Sequence, residues 1–277
     1  MRDFYTDTLV KLLDAGLLKR DYRILVTCAA WRDRDVLQAL GFKHVVLSNL
    51  FHAEEKDYQP YEWSYQDAEK LSFADNAFDF CIVHDGLHHC ASPHRGMLEL
   101  YRVGRLGFLA FEPPDTWVTR VAIRLGLAQS YEAAAVVGHA YRGGGWRNTV
   151  IPNFVHRWTR REVRYAIQSF APHIRHQFIF RSGAGFNLAK KLKSTNPLVT
   201  LVGRSVETLM HASSQALPSF GNLFSFAVIN PSPEELQPWL RKVENGIGLD
   251  ATWFQRRGFP NAEQAGSAVF ETQEKKP

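Results

Sequence analysis

The chain opens on a helical rhythm. Leu9, Leu12, Leu13 and Leu17 recur near the 3.6-residue period, which predicts an amphipathic helix from Phe4 to Leu18 with Gly16 near its end. The period then changes. Arg23 to Thr27 and His44 to Ser48 are short β-branched runs with few internal polar positions, the pattern of buried strands. Between them Asp33 to Leu40 reads as a short helix stopped by Gly41, a residue suited to a left-handed cap. Trp63 to Tyr65, Asp79 to Val83 and Leu106 to Phe111 predict a third, fourth and fifth strand. Ahead of the fifth, Ser92 and Pro93 open a helix whose apolar face is Met97, Leu98 and Tyr101. The serine caps free N–H groups, and proline at the first position loses only a donor that has no partner there.

Strands bounded by helices over the first 112 residues argue for a parallel sheet covered on both faces. Such sheets bind ligands beyond the carboxyl ends of their strands, where the strand order reverses. Attention therefore falls on Cys28 to Asp33, Ser48 to Leu50, Asp67 and Ala68, His84 to His89, and Glu112 to Asp115.

After Glu112 the rhythm breaks. A connection over 113–157 contains a predicted helix, Val118 to Leu127, and a glycine run, Gly143-Gly144-Gly145, expected to be a flexible hinge. Its Trp117, Val121 and Ile123 argue for order, and its length points to a functional lid. Thr159 and Glu162 form a capping box for a helix reaching Phe170. Ile174 to Phe180 and Leu223 to Ile229 predict sixth and seventh strands, a candidate antiparallel hairpin interrupted by a helical insertion over 188–219. A short helix is expected over Pro233 to Val243, and a loose tail from Glu263. The chain thus divides into an N-terminal helix (1–21), a main domain (22–231) and a C-terminal extension (232–277).

Composition narrows the class. With 277 residues, 45% hydrophobic and 22% charged, the chain is neither disordered nor collagen-like, and it needs no staple to bury a core. Three cysteines, Cys28, Cys81 and Cys90, are too few for a disulfide framework and read as reduced thiols. A net charge of +5 is scattered rather than gathered in a stripe, which argues against a nucleic-acid partner. No membrane-length apolar run is present, and Asp3, Asp7 and Asp14 break a secretory pattern, so a cytoplasmic protein is expected.

The candidate chemistry gathers in one place. His84, Asp85, His88 and His89 end the fourth strand, with Glu112 on the neighbouring strand end. Histidine titrates near neutral pH and suits a general base. The same residues, with His94, are also metal-ligand types.

The stretch Asp67-Ala68-Glu69, Leu71, Phe73, Asp75-Asn76, Phe78-Asp79 and Leu87-His88-His89 continues through Pro93, Glu99, Tyr101-Arg102-Val103 and Phe111-Glu112-Pro113. It closely resembles the core of the class I S-adenosylmethionine-dependent methyltransferases, in the group called methyltransferase type 11. The resemblance spans about residues 22 to 115. It implies an α/β, Rossmann-like fold: a mostly parallel seven-stranded sheet with its last strand antiparallel and helices on both faces. It implies S-adenosylmethionine as cofactor and in-line methyl transfer to a small-molecule, sugar-linked or lipid-linked acceptor. Asp67 would accept from the adenine amino group and Ala68 would give a backbone contact to the ring. Asn49, with Leu50 after it, would sit at the ribose, and the loop Cys28, Ala29, Ala30 and Trp31 would let backbone approach the cofactor. His84 would face the methionine portion, and His84, Asp85 and His88 would be the catalytic residues. Since the motif accounts for these histidines, no metal is expected. Two departures stand out. Thr27, Ala29 and Trp31 occupy the positions of the family's glycines, and Asn49 replaces the usual acid. They leave a rival reading, a catalytically inactive relative whose cleft the Trp31 indole fills. An RNA methyltransferase is the lesser alternative.

Overall fold

The structure, a computed structural model, describes residues 3–52, 55–185, 197–231, 235–244 and 246–271. The expectations for residues 186–196, and for the tail beyond 271, lie outside them. The chain forms two compact units, residues 1–166 with 178–229, and residues 167–177 with 230–277.

The first unit is built on the apolar runs. They form β1 (Arg23–Thr27), β2 (His44–Asn49), β3 (Glu62–Tyr65), β4 (Phe80–His84), β5 (Gly107–Phe111), β6 (Gln177–Gly183) and β7 (Leu223–Ile229). The sheet order is β3-β2-β1-β4-β5-β7-β6. β1 pairs in parallel with both β2 and β4, β2 with β3 and β4 with β5, whereas β7 runs antiparallel to β5. This is the expected seven-stranded, mostly parallel sheet with its last strand reversed. The order reverses between β1 and β4, so their carboxyl ends flank the binding crevice.

Alternation decides what covers each face. Ile24, Val26, Phe80, Ile82, Leu109 and Phe111 join one buried cluster with Leu9 and Leu12 of α1 (Phe4–Asp14) and Leu37 of α2 (Trp31–Ala39). Leu25, Cys81, Val83 and Phe108 are buried on the other face, where α3 (Pro93–Val103) packs against β4 and β5. Each such leucine, isoleucine, valine or phenylalanine side chain contributes about 1.5–3 kcal/mol, which is why β1, β4 and β5 are apolar through their centres. Ser92 caps α3 as expected, its Oγ accepting the Arg95 N–H at 3.4 Å.

The connection after β5 holds α4 (Trp117–Arg124) and a helix missed in the sequence, α5 (Ala133–Gly138). The capping box opens α6 (Arg160–Phe170): the Glu162 N–H donates to Thr159 Oγ1 at 3.1 Å and the Thr159 N–H to Glu162 Oε2 at 3.3 Å. α7 (Pro197–Ala216) precedes β7. β6 begins three residues later than predicted, because Ile174 leaves the sheet for an isolated bridge with Leu236.

The second unit corrects another expectation. Residues 240–243 are not helical: β8 (Leu240–Val243), β9 (Gly246–Leu249) and β10 (Val269–Glu271) form a small antiparallel sheet, accompanied by α8 (Ala251–Arg256). Among the described residues no helix is long and apolar enough to cross a membrane.

Candidate active site

Beyond β1 the chain turns without glycine. Cys28 adopts a left-handed backbone, φ 55°, uncommon for a residue with a side chain. Room for it comes from across the crevice. A Cβ on Gly86 would lie 2.3 Å from the Cys28 Cβ. The Ala29 N–H donates to the Ser48 carbonyl at 2.9 Å, and the Ala30 N–H to Asp33 Oδ2 at 2.8 Å. Trp31 is the first residue of α2 and is 65% exposed. Its indole lies at the rim and leaves the crevice open.

Asn49 is tied to the main chain. Its Nδ2 donates to the Ala29 carbonyl at 3.0 Å and its Oδ1 accepts the Leu50 N–H at 2.7 Å. Both ends of the amide thus brace the β1 and β2 loops, and one N–H and one lone pair remain on the cavity wall.

The acidic residues of the motif divide by task. Glu69 accepts the N–H groups of Ala91 and Ser92 at 2.8 Å each, fixing the approach to α3. Arg102 donates to Glu99, to Asp75 and to the carbonyls of Leu71 and Phe73, tying the β3–β4 connection down. Asp67 is different. Its Oδ1 takes the Glu69 N–H at 2.9 Å, while Oδ2 is held by Arg147 at 2.8 Å, reaching from the connection after α5. Ala68 is buried beside it.

At the end of β4 the His84 ring stacks on Tyr5 at 4.3 Å. Its Nδ1 lies 3.6 Å from Asp33 Oδ1 and its Nε2 3.4 Å from Asp85 Oδ2. Burial pulls the His84 pKa down, but the Asp33 and Asp85 carboxylates outweigh it, so the net shift is upward. Asp85 has φ 51° and a side chain 61% exposed.

Behind this turn lies a buried charged chain. Glu112 Oε1 accepts the N–H groups of Gly86 at 3.0 Å and Leu87 at 2.6 Å. Its Oε2 is 2.7 Å from His88 Nδ1, and His88 Nε2 is 3.2 Å from Glu132 Oε2. Burial opposes charging His88, yet the flanking carboxylates push its pKa up to about 10. His88 is therefore an imidazolium donating from both nitrogens, 4% exposed and outside the lining of the cavity. This corrects its expected part as a base: it positions the turn. His89 faces the cavity instead. Burial, reinforced by the neighbouring His88 charge, lowers its pKa, so it is neutral near pH 7. Its Nδ1 is 3.4 Å from the Gly145 carbonyl and its Nε2 3.5 Å from Glu132 Oε2.

These strand ends enclose a cavity of about 520 Å³. Cys28, Ala29, Ala30, Trp31, Asn49, Leu50, Asp67, Ala68, His84 and Asp85 all line it. Its far wall is His139, Gly144, Gly145, Arg147 and Asn148. Asn148 Nδ2 donates to the Leu50 carbonyl at 2.9 Å. The glycine run, expected to be a hinge, is closely packed here. A Cβ on Gly144 would sit 2.3 Å from His139 Nδ1, and one on Gly145 2.0 Å from the Ile151 carbonyl oxygen, so smallness here serves close packing.

Residues 42–111 match the sequence model of a methyltransferase domain. Those residues, about a quarter of the chain, carry the pattern of a methyltransferase domain. Such a domain is that of an enzyme, and S-adenosylmethionine is the cofactor that the match implies. No curated protein matches the chain by sequence. Among solved structures, it is similar to the magnesium protoporphyrin IX methyltransferase of Synechocystis with bound S-adenosylhomocysteine, at 13% identity and TM-score 0.48, covering 82% of each chain. It is also similar to an S-adenosylmethionine-dependent methyltransferase of Thermotoga maritima, at 12% identity and TM-score 0.44, covering 80% of this chain and 88% of that one.

The methyltransferase crevice fits the cofactor. Its volume lies in the range of small-molecule sites, roughly 300–1,000 Å³. Asp33 Oδ1 is buried at its wall without a hydrogen-bond partner, an acceptor suited to the ammonium of the methionine portion. Asp67 stands after β3 with one carboxylate oxygen turned to the cavity side and held there only by an exposed arginine.

Proposed function

We propose that the chain is a cytoplasmic enzyme that methylates a hydroxyl of a small-molecule, sugar-linked or lipid-linked acceptor. The observation that carries this reading is a neutral histidine, His89, in the same cavity as Asp67 and Asp33. When bound, S-adenosylmethionine supplies a methyl group already activated on sulfonium, so the chain's task is alignment and proton removal. Asp67 would accept from the adenine amino group, and the backbone of Cys28 to Ala30 would line the cofactor's path. Asp33 would take the ammonium, with the raised-pKa His84 beside it holding that carboxylate in place. The His89 Nδ1–H faces the Gly145 carbonyl, which leaves Nε2 to accept the hydroxyl proton, and Glu132 steadies the resulting imidazolium. His88 keeps the turn that carries His89 fixed through Glu112.

Exposure of Trp31 supports this reading over the inactive relative with a filled cleft. The test is transfer of a radiolabelled methyl group into fractionated small molecules, saccharides, lipid-linked saccharides and RNA. Label in one of the first three, reduced about 100-fold by His89→Gln, is the expected result, since a positioned base contributes roughly 100- to 10,000-fold. Label in RNA alone, or none in any fraction, overturns it.

A further inference from the structure

We propose that His94, His156 and Glu162 form a zinc site on the outside of the methyltransferase unit, independent of the cofactor crevice and of the reading above. His94 is the second residue of α3, His156 lies in the chain leading to α6, and Glu162 is in the first turn of α6. Sixty or so residues separate the first from the other two, so folding alone brings them together. His94 Nε2 and His156 Nε2 each lie 3.0 Å from the same oxygen, Glu162 Oε1. The three donor atoms fall within 4.8 Å of one another.

Two imidazole nitrogens and one carboxylate oxygen are a zinc donor set, and three protein ligands with an open fourth position are a recognised arrangement. With bonds of about 2.0–2.1 Å, the edges of a tetrahedral zinc site are about 3.3 Å long. The observed 3.0 Å separations need to open by only a few tenths of an ångström. The ligands are also held from behind, as metal ligands generally are. Glu162 Oε2 is fixed by the Thr159 N–H, which turns Oε1 toward the histidines. Both rings rest on buried Trp158, with centroids 4.9 Å and 4.8 Å away. Side-chain exposures of 41%, 28% and 27% for His94, His156 and Glu162 leave an approach from solvent. The other such cluster, His88, His89 and Glu132, is a poorer host, because both His88 nitrogens already face carboxylates in the interior.

None of the three ligands lines the cavity, so the ion clamps α3 and α6 together rather than joining the chemistry. The test is titration of chelator-treated full-length protein with zinc chloride against a chromophoric chelator, with a thermal melt alongside. One zinc per chain is expected, with a raised melting temperature. His94→Ala and His156→Ala should each weaken binding at least tenfold and abolish the melting shift. Cooperative unfolding of the zinc-free variants at the temperature of the zinc-free wild type, with the same far-UV circular dichroism, shows that they are folded. Absence of stoichiometric zinc, or binding and melting shifts unchanged in both folded variants, overturns the site. Should either variant fail to fold, His94→Gln and His156→Gln carry the same two outcomes.

Discussion

The loops after β1 and β4 face each other across one crevice, and each places a residue with a side chain in the left-handed region, Cys28 at φ 55° and Asp85 at φ 51°. They meet this conformational cost differently. The β4 turn is held from below by Glu112, which takes two of its N–H groups and is itself paired to His88. The β1 loop relies on the Asp33 cap, itself facing His84, on the Asn49 brace and on the space left by Gly86. A loop that lacks its family's glycines can thus keep an open path when the missing glycine is supplied by its neighbour across the cleft.

The largest effect is expected where the β4 anchor is removed. His88→Ala leaves the Glu112 carboxylate buried and unpaired, which costs about 3–5 kcal/mol in denaturant unfolding. A cost under 1 kcal/mol would mean that the network is not a structural anchor. The same pair makes stability depend on pH. Folding raises the His88 pKa from 6.5 to about 10, so its contribution is complete below pH 6.5 and is lost as pH climbs through 10. Unfolding curves from pH 6.5 to 10 should show this decline in the wild type, and a much flatter profile in His88→Gln.

Gly86→Ala joins the two loops in a single test. The added Cβ, 2.3 Å from that of Cys28, forces the β1 loop to move at a cost of about 1–3 kcal/mol. Cys28→Gly should restore most of the lost stability in the double variant. Additive losses would show that the two residues do not share the space. The smallest effect belongs to the strap. Arg147→Ala frees Asp67 Oδ2 from a half-exposed ion pair worth about 0.5–1 kcal/mol, so S-adenosylhomocysteine should bind roughly two- to fivefold more tightly. Weaker binding would make Arg147 a cofactor ligand rather than a competitor.

The sheet was legible because buried parallel strands carry apolar runs: Arg23–Thr27 is predicted and observed with the same ends. The small sheet of the second unit was not, since Leu240–Val243 and Gly246–Leu249 are short, half-exposed and mixed with Arg241, Lys242 and glycine. In the site, the residue types point to the turn after β4 but cannot sort His88 from His89. Adjacent residues in a 3₁₀ turn face different surroundings, and the carboxylates that charge His88 lie 24 and 44 positions beyond it. Asp67 and Arg147 are 80 residues apart, so nothing local announces their pairing. The bracing role of Asn49 was hidden for a similar reason, because only the folded crevice brings the Ala29 carbonyl within its reach.

The central claim is that this glycine-poor crevice accepts an adenosine-bearing cofactor. Calorimetric titration with S-adenosylhomocysteine tests it without knowledge of the acceptor. The account predicts one saturable site per chain, weakened about 10- to 100-fold by Asp67→Ala through loss of a charge-assisted hydrogen bond, and changed less than twofold by Trp31→Ala. No binding by the wild type, or binding that appears only once Trp31 is removed, would contradict it.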